Sequence, residues 1–222
     1  MIPLRDNVPA RRFPVVTLTL IVTNVLVFLF QNSLPDHAHE VFIRLRGVVP
    51  LRFGNPPLAD SLGYPSGAWT SMLSYMFLHG GWFHLISNMW ALWLFGDNVE
   101  DRLGRVRYLF FYAVCGVLAA LAHVMLNASS AMPTVGASGA IAGVMGAYFL
   151  MFPYARMVVM IPIIIYPLLI EIPASIYLFI WIATQIVSGT FDMFSAGVAG
   201  IAFWAHIGGF FAGMLLSDKH RS

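Results

Sequence analysis

Three short stretches of this 222-residue chain set hydrogen-bonding side chains inside apolar surroundings. Gly136-Ala137-Ser138-Gly139 carries a serine, and Ala205-His206-Ile207-Gly208-Gly209 carries a histidine. His84 and Asn88 add a second histidine and an amide, four residues apart and so on one face of a helix. Polar side chains in apolar helices are costly and mark functional sites by default. A serine hydroxyl is a weak nucleophile until an imidazole accepts its proton. The anion that forms on an attacked carbonyl then needs preorganised donors, and low dielectric strengthens each of them. A serine, two histidines and an amide are the parts that such acyl chemistry requires.

The elements that must carry these groups follow from composition. Apolar residues make up 59% of the chain and charged residues only 10%, against roughly 25% charged in a soluble domain. With a mean hydropathy of +0.78, this is the composition of a polytopic membrane protein. It excludes a nucleic-acid binder, a disordered scaffold and an ordinary cytosolic enzyme. The single cysteine, Cys115, sits in an apolar run and reads as packing. Charged residues and turn signals divide the chain into six apolar spans, near 15–34, 80–96, 108–126, 137–152, 172–189 and 203–217. Asn127-Ala128-Ser129-Ser130 and Pro133 separate the third span from the fourth. The first run is long and no small-residue cleavage site follows it, so no cleavable signal is expected. The remaining apolar stretch, Met157 to Ile170, is short and contains Pro162 and Pro167. It is expected to be a loop lying against the membrane.

Charge tests the six-span reading. With the N-terminus inside, the inner segments hold Arg5, Arg11, Arg12, Arg102, Arg105, Arg107, Arg156, Lys219 and Arg221, and the outer ones only Arg44, Arg46 and Arg52. This fits the positive-inside rule. Residues 1–14 and 218–222 are then cytoplasmic tails around a membrane domain at 15–217 with a long first loop, 35–69. Counting from the inner ends (Asp97, Pro153 and Asp218), His84, Ser138 and His206 lie about 20, 22 and 18 Å above the inner boundary. All three therefore fall in one layer, below the outer surface of a ~30 Å hydrocarbon core.

The joint pattern closely resembles the rhomboid intramembrane serine proteases. It comprises Gly-Ala-Ser-Gly at 136–139, His84 with Asn88, and Ala205-His206-Ile207-Gly208-Gly209 with Gly213. Glu100-Asp101-Arg102-Leu103-Gly104 looks like the family's motif after the second span, and Trp69 and His79 like the approach to that span. The likeness runs over about residues 15–217. It implies an all-α membrane protein, a bundle of six transmembrane helices whose site opens to the outer side. Ser138 would be the nucleophile and His206 its general base, a dyad with no acid partner. His84, Asn88 and the Ser138 backbone N–H would hold the oxyanion, and Gly136 would let the backbone approach substrate. Gly139, Gly143 and Gly146 on one helix, with Gly209 and Gly213 on another, would allow close helix contact. Two positions depart from the family. Ala142 stands where many members carry an aromatic residue that packs on the histidine, and Thr70 follows Trp69 where arginine is common.

Other chemistries fit poorly. His79 and His84 are five apart with no intervening glutamate, unlike the zinc-protease His-Glu-x-x-His. Asp97 and Asp192 fall on opposite sides of the membrane in the six-span reading, which rules out an aspartyl pair. No cofactor or metal is expected. A transporter would want ionisable residues or broken helices at the midplane, and no Asp, Glu, Lys or Arg lies within the six spans. The alternative from another class is a catalytically inactive rhomboid-like protein that binds membrane segments, which should lack the serine or the histidine. The expected partners are transmembrane protein substrates and lipid, with no nucleic acid. His79 is expected to serve as a hydrogen-bond partner in a turn, and Asn24 and Gln185 to bond neighbouring helices. A bacterial or archaeal plasma membrane is the expected location, since little surrounds the six-span core.

Overall fold

The computed structural model describes residues 1–64, 69–163, 166–194 and 202–217. It opens with strand β1 (Ile2–Asp6) and helix α1 (Val15–Ser33). The first loop folds into helices α2 (Asp36–Arg46), α3 (Leu51–Gly54) and α4 (Pro56–Ser61), and α5 (Ser71–Ser74) leads into the bundle. Then come α6 (Trp82–Leu103), α7 (Arg105–Leu126), α8 (Ser138–Met151), strands β2 (Arg156–Ile163) and β3 (Tyr166–Pro173), α9 (Ala174–Phe194) and α10 (Phe203–Leu216). The chain is mostly helical. Among the described residues α1, α7 and α9 (through Asp192) are long and apolar enough to cross a membrane, while α8 and α10 are apolar but shorter. α6 is as long as α7, but its last two turns hold Asp97, Glu100, Asp101 and Arg102.

Helix α8 is the centre of the bundle, and its residues from Gly139 to Tyr148 are all buried. Six of those ten are glycine or alanine, so neighbouring helices can come up to its backbone. A Cβ placed on Gly209 of α10 would collide with the Gly139 carbonyl, and one on Gly213 with the Gly143 carbonyl. Backbone cannot swing aside as a side chain can, so these sites admit no larger residue without separating the helices. On the α7 side, a Cβ at Gly139 would lie 2.7 Å from that of Ala119, and one at Gly143 would lie 2.5 Å from that of Cys115. Cys115 is free and buried at this contact. Large apolar side chains such as Leu26, Phe110, Phe179 and Leu215 are exposed on the outside. A surface this apolar belongs in lipid rather than water.

The expectation of an all-α chain needs correction. The N-terminal tail and the 157–170 stretch form a three-stranded antiparallel sheet in the order β1-β2-β3, where the sequence reading expects a tail and a loop. Asp6 lies opposite Met157 and Ile2 opposite Met160, while Pro162 faces Pro167 across the hairpin. Proline bars a helix here, and the β-branched residues Val158, Val159, Ile161, Ile170 and Ile172 suit a pleated surface. Side chains fasten the sheet to the bundle. The Asp6 carboxylate accepts from the Tyr148 hydroxyl at 2.5 Å and the Asn98 amide at 3.0 Å. The Trp90 indole donates to the Pro3 carbonyl at 2.7 Å. The N-terminus and the α8–α9 connection therefore share one side of the bundle. The other expected boundaries shift by a few residues: α6 continues past Asp97 to Leu103, and α9 runs to Phe194. The expected tail at 218–222 lies outside the described residues.

One buried carboxylate joins the first two long helices. Pro14 offers no side-chain cap to α1. Glu100 of α6 supplies one instead, accepting from the backbone N–H groups of Val16 at 2.9 Å and Thr17 at 2.8 Å, and from the Thr17 hydroxyl at 2.8 Å. The donors are the orphan N–H groups of a helix start, where a negative charge also meets the positive end of the helix dipole. Glu100→Ala should cost about 3 kcal/mol, the scale of charge-assisted bonds lost together with burial of the abandoned donors, and Glu100→Gln should cost less. Thermal unfolding in detergent checks this; a wild-type midpoint for Glu100→Ala would remove the role.

Candidate active site

Ser138 is the first residue of α8, and the loop before it is held from both sides. Val48 and Thr134 exchange backbone hydrogen bonds of 2.9 and 2.7 Å, tying residues 127–137 to the first loop. The Thr134 hydroxyl lies 2.9 Å from Nε2 of His123 on α7. The Gly136 N–H donates to the Tyr75 carbonyl at 2.9 Å, and the Tyr75 hydroxyl donates to the Gly116 carbonyl at 2.7 Å. Gly136 itself has φ +128°, where a side chain would be strained. Space forbids one as well, because a Cβ there would lie 2.8 Å from Cε1 and Nε2 of the His84 ring. The hydroxyl of Ser138 and the ring of His84 thus flank the same point over Gly136. As the opening residue of α8, Ser138 also has a backbone N–H with no carbonyl one turn back to accept it.

His206 comes from the first turn of α10, the helix pressed against α8 by the glycine contacts. Its Nε2 lies 2.7 Å from Ser138 Oγ. Its Nδ1 lies 2.7 Å from Oε1 of Gln185 on α9. The Trp181 indole, one turn earlier on α9, packs against the imidazole with ring centroids 5.9 Å apart. Both Ser138 and His206 are half-buried.

The second histidine and the amide are placed differently. His84 is half-buried, with Nδ1 3.4 Å from the Gly80 N–H. Asn88 is buried one turn further along α6, and its amide donates to the His84 carbonyl at 2.7 Å. No hydrogen bond among the described residues joins either of them to Ser138. His79 differs from expectation. Its backbone N–H and carbonyl bond to the Gln31 side chain at 3.3 and 2.7 Å. Its ring, however, is fully buried with neither nitrogen hydrogen-bonded, packing edge-on to Phe28 and His84. Sequence reasoning missed the contributions of Gln31, Thr134, His123 and Trp181. It gave Gln185 only a generic bond to a neighbouring helix; an amide inside an apolar span was the available signal. Among the described residues, no group of three or more His, Cys, Asp or Glu is arranged to hold a metal ion.

This arrangement can pass a proton from a serine to an imidazole at hydrogen-bond distance in an apolar bundle, with a helix N-terminus beside it. Comparison with known proteins gives the family. A family profile described as the rhomboid domain matches residues 66–220. The putative rhomboid protease YdcA of Bacillus subtilis is 33% identical over 141 residues, 64% of this chain and 64% of that protein. Rhomboid protease GluP of the same organism is 40% identical over 81 residues, 36% of this chain and 15% of the relative. Mitochondrial Rhomboid protein 1 of Saccharomyces cerevisiae is 34% identical over 95 residues, 41% and 28%. The matched region spans less than two thirds of the length of each of these relatives. Since the profile covers most of the chain and the helices are apolar outside, the protein is an integral membrane protein that belongs to the rhomboid family.

Proposed function

We propose that the protein is a serine endopeptidase that cuts membrane proteins within or beside a transmembrane segment. The observation that carries this reading is the 2.7 Å contact between Ser138 Oγ and His206 Nε2, held between two helix starts. As Oγ bonds to the scissile carbonyl carbon, its proton passes to Nε2 and the carbonyl π electrons move onto oxygen. The Ser138 N–H and the side chains of His84 and Asn88 bind that oxygen, with Asn88 releasing the His84 carbonyl to do so. Collapse breaks the C–N bond, and the leaving nitrogen takes the proton from Nε2. A water molecule then gives a proton to Nε2 as its oxygen bonds to the acyl carbon. The second collapse breaks the C–Oγ bond and returns the proton to Oγ.

The same reading assigns α1 and α6–α10 as six membrane crossings with both termini cytoplasmic. β1 pairs with β2 on one side of the bundle, and four crossings between them satisfy that pairing. Substrate must present an extended backbone, so cleavage falls where its helix is weak, near glycine, proline or polar residues. The tight space over Gly136 and His84 favours a small side chain, such as alanine, just before the cut.

Ser138→Ala and His206→Ala should each abolish cleavage of a membrane-anchored test substrate by purified, folded protein. Undiminished cleavage by Ser138→Ala would overturn the mechanism, leaving a member that binds membrane segments without cutting them. His84→Ala and Asn88→Ala should each lower kcat by about 10²-fold, the usual loss for one oxyanion donor; a wild-type kcat would remove the residue from that role. For topology, a cysteine at Ser222 in a Cys115→Ala background should resist an impermeant thiol reagent applied outside intact cells, while one at Asp36 should react. Labelling at position 222 would place the last helix in the reverse direction.

A further inference from the structure

We infer that Gln185 is the positioning residue for His206, fixing the imidazole tautomer that can accept the serine proton, with Trp181 holding the ring plane. This rests on the protease reading above.

Hydrogen-bond polarity carries the inference. A neutral imidazole has one N–H and one bare nitrogen. Gln185 Oε1 has only lone pairs, so its 2.7 Å contact with Nδ1 requires the proton on Nδ1. That leaves Nε2 bare at 2.7 Å from Ser138 Oγ, where it can accept the hydroxyl proton. The other end of the amide fits the same direction. Gln185 Nε2 lies 3.4 Å from Thr184 Oγ1, which donates its own proton to the Trp181 carbonyl at 2.6 Å and so offers lone pairs to the amide. Every donor from serine to the α9 backbone then points one way. Turning the amide over would set its NH2 against Nδ1, force the proton onto Nε2 and leave no acceptor for Ser138. It would also set Oε1 against a hydroxyl whose proton is already committed.

The ring's other contact comes from the same helix. Trp181 precedes Gln185 by four residues, one helical turn, and its indole lies 5.9 Å from the imidazole centroid at 34°. Ala142, four residues after the serine, is a fully buried methyl group in the α8 core and offers no aromatic surface. Orientation of the base therefore comes from α9, through Gln185 and Trp181. An amide suits this depth better than a carboxylate. It presents the negative end of a dipole to the imidazolium formed during attack, with no charge to desolvate when the histidine is neutral.

Gln185→Met keeps the chain volume and removes the acceptor, Gln185→Leu removes it in a branched form, and Gln185→Glu restores an acceptor. Steady-state cleavage of a membrane-anchored substrate by each purified variant, with unfolding midpoints measured alongside, tests the inference. The Met and Leu variants should lose about 10- to 100-fold in kcat with KM within about twofold of wild type, because the lost interaction acts on the base and not on substrate binding. Gln185→Glu should recover most of that loss. Folded Gln185→Met with wild-type kcat, a loss confined to KM, or Gln185→Glu no better than Gln185→Leu would overturn the positioning role. Absence of Ser138-dependent cleavage in the wild type would instead overturn the protease reading, so the two failures are separable.

Discussion

The arrangement rests on the backbone-to-backbone contact of α8 with α10. Lipid supplies no hydrophobic force between helices, so their association depends on close packing. Here the packing is set by glycines on α10 facing carbonyls of α8: Gly209 on Gly139 and Gly213 on Gly143. Because the two helices touch along their length, their first turns are brought together too. Ser138 begins one helix and His206 lies in the first turn of the other, so the distance between them is a consequence of that seam. A side chain anywhere along it would act on the site through geometry, without touching a reacting group.

Around this pair, the loop before α8, helix α9 and the far end of the bundle restrict motion rather than add reacting groups. The Val48–Thr134 pairing and the Tyr75 carbonyl hold the loop that delivers Ser138. Helix α9 contributes polar and aromatic contacts to His206 from its Gln185 and Trp181 positions. At the opposite end, Glu100 caps α1 and Asp6 joins β1 to α6 and α8. The bundle is thus tied at the end remote from the serine, where charged and polar side chains are available, and packed by small residues where they are not.

Much of this was legible in the sequence, and the reason is the fixed rise of a helix. Counting residues from charged boundaries put His84, Ser138 and His206 at one depth; the His84 ring and Ser138 meet over Gly136, and His206 lies at hydrogen-bond distance from Ser138. Helix ends were less legible. Polarity marks where an apolar run stops, but Asp97 to Leu103 continue as helix because charged residues are compatible with it. The β2–β3 hairpin was hidden because an apolar stretch of that length has the same composition as a loop or a strand. Its signal lay in paired prolines and β-branched residues. Strand β1 could not be read at all, since five residues carry little pattern and their partner is about 150 positions away. Gln185 was visible as a polar residue in an apolar span. Its partner depends on how α9 is rotated about its axis, and single-sequence periodicity does not fix that for a helix apolar on nearly all sides.

The central claim is that Ser138 is a nucleophile because His206 takes its proton. The most direct measurement is to treat the protein in membranes with an organophosphonate that reacts covalently with activated serines, and to map the adduct by peptide mass spectrometry. The account predicts modification at Ser138 in the wild type and none there in His206→Ala. An adduct confined to another serine, or equal modification of Ser138 with and without the imidazole, would contradict it.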